Sequence, residues 1–183
     1  MVRIIHVLLL IVFCTATNAD DCIKIVSNRY CLGGNFELEA SKHTKKFDHW
    51  RPKIDKGFSS VSFDDDDVFF YKMARVTLLG FEGKVFRIII YPLSTYYTNP
   101  SIKLFELEQD SLRIIDMYRS LYKDRQETSR QIIIQAPGYQ IEISGDNTKD
   151  YTKPLSVTDL FIVYEDIDLL RKSKIFERSK SGF

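Results

Sequence analysis

The chain has 183 residues, 44% hydrophobic and 28% charged, with 26 lysines and arginines against 25 acidic residues. That length suits one domain with a proper core, and a net charge of +1 excludes the basic stripe that counterion release onto DNA, RNA or heparin demands. No Pro/Gly/Ser linker, internal repeat or low-complexity tract divides it.

Residues 1–19 read as an export leader. Arg3 is the positive n-region, Ile4 to Cys14 the apolar h-region, and Thr17 and Ala19 the small residues before a cut that leaves Asp20 first. The apolar run is shorter than the roughly 20 residues that span a bilayer, and no later stretch is longer. The mature chain is therefore expected to be secreted and soluble, without a membrane span, and losing Arg3 balances its charges. Cys14 leaves with the leader, so Cys22 and Cys31 remain as an even pair in an oxidising compartment and are expected to be bonded, free thiols being the alternative. Residues 20–33 then form a disulfide-closed N-terminal segment, with Ile23 to Val26 as a β-prone run and Ser27-Asn28-Arg29 as its turn.

Residues 34–167 carry the strand signals. Weaker candidates are Phe36 to Glu39, Phe47 to Arg51, Ser59 to Phe63, Phe69 to Leu79, Ile102 to Glu108 and Gln131 to Ala136. Val85 to Tyr91 and Leu160 to Tyr164 are almost continuous apolar runs, as central strands are. Tyr139 to Ile143 alternates strictly after the Pro137-Gly138 turn, which requires one buried face. Turns fall at Gly33-Gly34, Pro52, Gly80 to Gly83 and Asn99-Pro100. Ser111 to Lys123 fits a helix through Leu112, Ile115, Tyr118 and Tyr122 as well as a strand, and a strand or bent hairpin is preferred. Asp124 to Arg130 reads as an exposed turn, and residues 168–183 as a basic, solvated tail. Many short strands at this spacing predict an all-β chain: an antiparallel, jelly-roll-like β-sandwich.

The series Asn35-Phe36-Glu37, Phe47-Asp48-His49-Trp50, Phe86 to Tyr91, Ile102 to Glu108, Tyr139 to Ile143 and Val157 to Ile162 resembles the jelly-roll domains of the MAM type and the related carbohydrate-binding sandwiches. The resemblance covers residues 34–167 and departs from the family in its cysteine pattern. It implies an extracellular antiparallel sandwich used for adhesion, ligand capture or oligomerisation. It also implies a structural cation, calcium by its oxygen ligands, between an early acidic residue and one on the closing strand, positions held here by Glu37 and Asp159.

The run Asp64-Asp65-Asp66-Asp67 is the most conspicuous local feature. A solvated acidic loop is the preferred reading; the alternative is a calcium site, in which at most two side chains, such as Asp64 and Asp66, face one ion because neighbours in an extended segment point apart. After the leader only His43 and His49 remain, in no zinc-binding spacing, and neither accompanies a serine elbow, so metal-dependent and nucleophilic hydrolysis lack support. Asp48-His49-Trp50-Arg51 reads as a strand edge with Trp50 packed inward. Gly80 to Lys84 is a hairpin turn, not a phosphate loop. Tyr96 and Tyr97, in the loop Pro92 to Pro100, suit an aromatic platform, with scattered surface tyrosines as the plainer reading.

The function expected from these residues is a non-catalytic recognition module binding an extracellular glycan or protein through its loops. Nucleic acid is not an expected partner. Alternatives are a secreted glycan-processing enzyme, since acidic residues are plentiful, or a self-assembling extracellular structural protein.

Overall fold

A computed structural model describes residues 22–44, 53–55, 57–69, 71–92, 100–128, 131–145 and 160–181. The chain opens with a hairpin of β1 (Ile23–Ile25) and β2 (Tyr30–Leu32), paired antiparallel. Its turn is tight, with Val26, Ser27 and Asn28 all at positive φ (52°, 53° and 67°), a conformation that costs a β-branched residue such as Val26 most. Cys22 and Cys31 are bridged across it with Cα atoms 5.4 Å apart, as expected from the cysteine count. With a sequence separation of 9, the chain-entropy model gives this bridge about 2–3 kcal/mol. Replacing both cysteines by serine should lower the unfolding free energy by that amount and steepen its urea dependence, because the released denatured chain exposes more surface, which equilibrium unfolding measures directly.

The strand expected at Phe36 to Glu39 is instead the start of helix α1 (Phe36–Thr44). The Asn35 side chain accepts the Leu38 amide at 3.0 Å, a cap that starts a helix. Phe36 and Ala40 are buried one turn apart while Leu38 is 57% exposed, which is helical and not strand spacing.

Strands β3 (Lys53–Asp55), β4 (Phe58–Val68), β5 (Tyr71–Phe81) and β6 (Lys84–Pro92) form a meander. Helix α2 (Pro100–Leu121) follows, then β7 (Arg125–Glu127), β8 (Gln131–Ala136), β9 (Tyr139–Gly145) and β10 (Leu160–Asp166) form a second meander. The two join where β10 pairs with β6, giving one eight-stranded antiparallel sheet in the order β3-β4-β5-β6-β10-β9-β8-β7. A β-rich antiparallel domain is therefore right: beside the two-stranded β1–β2 hairpin, the other eight described strands make one sheet of two meanders.

Three helices among the described residues correct the all-β expectation. The segment Ile102 to Glu108 and the ambiguous Ser111 to Leu121 are one helix, α2, with Pro100 in its first turn, where proline fits. Ser111, Ile114, Ile115 and Tyr118 are buried at helical spacing and Tyr122 packs against the core, so of the helical stripe read from the sequence only Leu112, 40% exposed, falls off the packed face. Residues 125–127 pair as strand β7 instead of lying in a turn. The supposed solvated tail is helix α3 (Ile167–Ser181), capped by Asp166, whose carboxylate accepts the Leu169 amide at 2.9 Å. The segment Phe47 to Arg51 lies outside the described residues. No helix among the described residues is long and apolar enough to cross a membrane.

Register assigns the faces. Val61, Phe63, Val76, Leu78, Ile88, Ile90, Ile141, Ile143, Ile162 and Tyr164 share one face through their pairings, and all are buried. Hairpin β1–β2 (Tyr30, Leu32), α1 (Phe36, Ala40) and α2 (Ile114, Tyr118) complete that core. The hairpin is stitched to the sheet by backbone bonds from the Gly33 amide to Val85 and from the Val85 amide to Gly34, at 2.7 and 2.9 Å. On the opposite face α3 lays Phe176 against Phe58 and Phe81, with ring centroids 6.1 and 5.4 Å away.

Candidate functional site

The acidic run is not a loop: it lies in β4, where strand alternation separates its carboxylates. Asp64 faces the outer side and pairs with Arg75 across the β4–β5 ladder at 3.1 Å; Asp66 is exposed on the same side. Asp65 faces the core, with its side chain 14% exposed. Its Oδ1 accepts Arg29 at 2.6 Å and its Oδ2 accepts the Tyr30 hydroxyl at 2.7 Å. His43 on α1 brings Nδ1 within 3.4 Å of Asp65 Oδ2, while its Nε2 lies 3.7 Å from Oε1 of buried Glu39, an ion-pair approach and not a hydrogen bond. Glu39 Oε1 accepts the Cys31 amide at 3.0 Å and Oε2 accepts the Lys42 ammonium at 2.8 Å. The His43 ring stacks on Phe63 at 5.1 Å and tilts against Tyr30 at 4.8 Å.

Burial alone would raise the Asp65 carboxyl, but hydrogen bonds from Tyr30 and Arg29 outweigh it and hold the group below its usual range. Glu39 is likewise pushed up by burial and pulled further down by its contacts with His43 and Lys42. Burial and the Asp65 bond raise the Tyr30 phenol. The cluster ties the disulfide hairpin and α1 to β4. The imidazole meets the two carboxylates through different nitrogens, so the three groups do not converge on one point, and among the described residues no group of three or more metal-ligating side chains is arranged around an ion. Of the other proposed cation ligands, Glu37 is exposed on α1, and Asp159 lies outside the described residues.

Two cavities offer space. The first, about 370 Å³, lies beside α3. Phe58, Ser59 and Ser60 of β4, Leu79 of β5, Phe86 and Arg87 of β6, and Glu177 of α3 line it. The Arg87 guanidinium lies 5.7 Å over the Phe86 ring and pairs with Glu165 of β10 through one terminal nitrogen, while its Nε is buried without a hydrogen-bond partner. The second, about 230 Å³, lies where hairpin β1–β2 meets α2 and the β9–β10 end of the sheet. Tyr118, Tyr122, Tyr139 and Tyr164 line it with Phe69 and Met117, and Lys24 stands among its lining residues. Tyr118 is thus a core residue, whereas Tyr91 is 40% exposed beside Phe161, with ring centroids 5.9 Å apart. Tyr96 and Tyr97 lie outside the described residues.

Burial first, then the neighbouring phenol, raises Tyr139 to about 12, and Tyr164 goes well above its ordinary value for the same reasons. A raised folded-state value means stability that is fully present below the unfolded value of 10.0 and lost as pH climbs through the folded ones. In an ultraviolet titration at about pH 11, Tyr30, Tyr139 and Tyr164 should remain un-ionised among the ten tyrosines, and should ionise only as the circular dichroism of the sheet collapses.

None of these groups formed a motif in the sequence. Arg29, Tyr30, Glu39, His43 and Asp65 are scattered, and only the four-residue spacing of Glu39 and His43 on one helix hinted at a pairing. Arg87 sat inside an apolar strand run. What fold and cavities define is a mixed domain built on one antiparallel sheet, with a disulfide hairpin at its start. No protein-family model, curated protein or solved structure matches the chain.

Proposed function

We propose that the chain is an exported, non-catalytic recognition module whose ligand is a neutral glycan unit held in the cavity beside α3. The observation carrying this reading is the composition of that cavity: an aromatic side in Phe58 and Phe86, serine hydroxyls, and an arginine whose Nε lacks an acceptor. At about 370 Å³ its volume falls in the range of small-ligand sites. A sugar ring offers an apolar face to an aromatic ring, and its hydroxyls both accept from Arg87 and donate to Glu177. Arg87 is already neutralised by Glu165, so an anionic ligand would gain little there and would meet Glu177. Of the two carboxylates near the cavity, Glu165 is committed to Arg87, which favours binding over the paired-carboxylate chemistry of glycoside cleavage. Export is supported by the leader pattern and the Cys22–Cys31 bridge.

The test is a glycan array read alongside the Arg87 Nε–H resonance in solution. Saturable retention of a glycan that moves this resonance, and that fails with Ser60→Trp, is the expected result. A glycan that binds without moving it would transfer the site elsewhere, and no retention of any glycan would remove the reading.

A further inference from the structure

The tyrosine-lined cavity differs chemically from the one beside α3. Phe69 meets Tyr118 edge-on at 6.2 Å and 72°, and Tyr118 stacks on Tyr122 at 6.1 Å and 16°, so its walls are ring faces and edges with the Met117 thioether among them. Beside Ser27 and Lys24, its polar side chains are four phenols, bonded in two pairs: Tyr118 with Tyr164, and Tyr122 with Tyr139 at 3.3 Å. Two hydroxyls hold two protons and their mutual bond uses one, so the Tyr122–Tyr139 pair keeps a proton to donate. Among the described residues Lys24 supplies the only charge of the lining and no carboxylate borders the space; the Lys24 ammonium donates one proton to Cys31 Sγ at 3.0 Å and keeps two. An apolar cavity of about 150 Å³ accepts a benzene ring, so about 230 Å³ accommodates a ring bearing one small polar group. The left-handed Val26 and Ser27 border the same space, holding the hairpin in a strained turn at its rim.

We propose that this cavity is a second binding site, for a small aromatic carboxylate, with its ring among Phe69, Met117 and Tyr122 and its carboxylate accepting from the Tyr122–Tyr139 hydroxyls and from Lys24. An aromatic cation would meet Lys24 with no counter-charge, and a neutral aromatic would leave the ammonium unused. The site stands apart from the glycan reading, because it shares no lining residue with the α3 cavity.

The test uses benzoate, benzyl alcohol and benzylammonium as probes, titrated by calorimetry and by tyrosine ring resonances. Benzoate should bind saturably and at least about tenfold more tightly than benzyl alcohol, a ratio that one charge-assisted contact supplies. Benzylammonium should be weaker than both. Lys24→Gln, at an exposed position, should abolish the advantage of benzoate over the alcohol, and Tyr139→Phe should weaken benzoate without closing the cavity. Met117→Trp should block all three. Benzoate binding no better than the alcohol, equal benzoate affinity in Lys24→Gln, or no saturable binding at about 10 mM overturns the proposal; the two conservative variants keep it testable if Met117→Trp does not fold.

Discussion

Replacing Asp65 by alanine is expected to remove about 2–4 kcal/mol of stability, somewhat under the figure for breaking a fully buried ion pair because Arg29 remains partly solvated. The loss does not come from one contact. Asp65 is 14% exposed and accepts both Arg29 and the Tyr30 hydroxyl, so truncation takes the acceptor from a buried phenol and the ion pair from a guanidinium together. Asparagine keeps the shape and part of the bonding and should cost about half as much. The pH dependence follows from the depressed Asp65 and Glu39 values. A carboxylate lowered in the folded state contributes stability that is present above its unfolded value and is lost as pH falls through the folded one. With unfolded values of 3.8 and 4.5, wild-type melting temperature should hold steady above about pH 5 and fall steeply below pH 4. Asp65→Asn should start lower and lose less on acidification. Parallel curves for the two proteins between about pH 5 and pH 2 would show that the carboxylate contributes nothing to acid unfolding.

The second large effect is expected at Gly80. A Cβ added there would lie 2.6 Å from Cδ2 and 2.9 Å from Cγ of Phe36, closer than any real contact. Both residues are buried, and Gly80 sits at the register shift between β5 and β6, so neither the ring nor the strand has space to yield. Gly80→Ala should therefore cost about 2–3 kcal/mol and Gly80→Val more. Phe36→Leu alone leaves a cavity, but the double variant Gly80→Ala with Phe36→Leu should be more stable than the sum of the single losses by at least about 1 kcal/mol. Strict additivity in that cycle would refute the steric account. The same contact explains how α1 keys onto the sheet, and so how Glu39 and His43 reach Asp65.

The sequence was legible where local pattern and turn chemistry agreed. Gln131 to Ala136 and Tyr139 to Ile143 alternate around Pro137-Gly138, and the hairpin β8–β9 follows them. Val85 to Tyr91 and Leu160 to Tyr164 read as central strands because both faces are covered, and they are the strands that meet at the centre of the sheet. Legibility failed where two periods overlapped. Phe36 and Leu38 alternate like a strand, yet the Asn35 cap and the Phe36–Ala40 spacing decide for a helix. Ser111 on the buried stripe of α2 hid that helix, since a polar residue at a core position breaks the apolar pattern. The acidic run looked like a loop because four charges rarely occupy a strand, but Arg75 across the ladder and the Arg29–Tyr30–His43 cluster absorb two of them from opposite faces. The cavities depend on strand register and helix docking, which no stretch of residues encodes locally.

The seam between β6 and β10 has a further consequence for biogenesis. β6 is complete at Pro92, whereas its partner begins only at Leu160, so a nascent chain emerging vectorially carries an unpaired, isoleucine-rich strand margin until Leu160 to Asp166 has emerged as well. Zipping this joint is a long-range event that local hairpins cannot hasten, so it is expected to follow the closing of either meander.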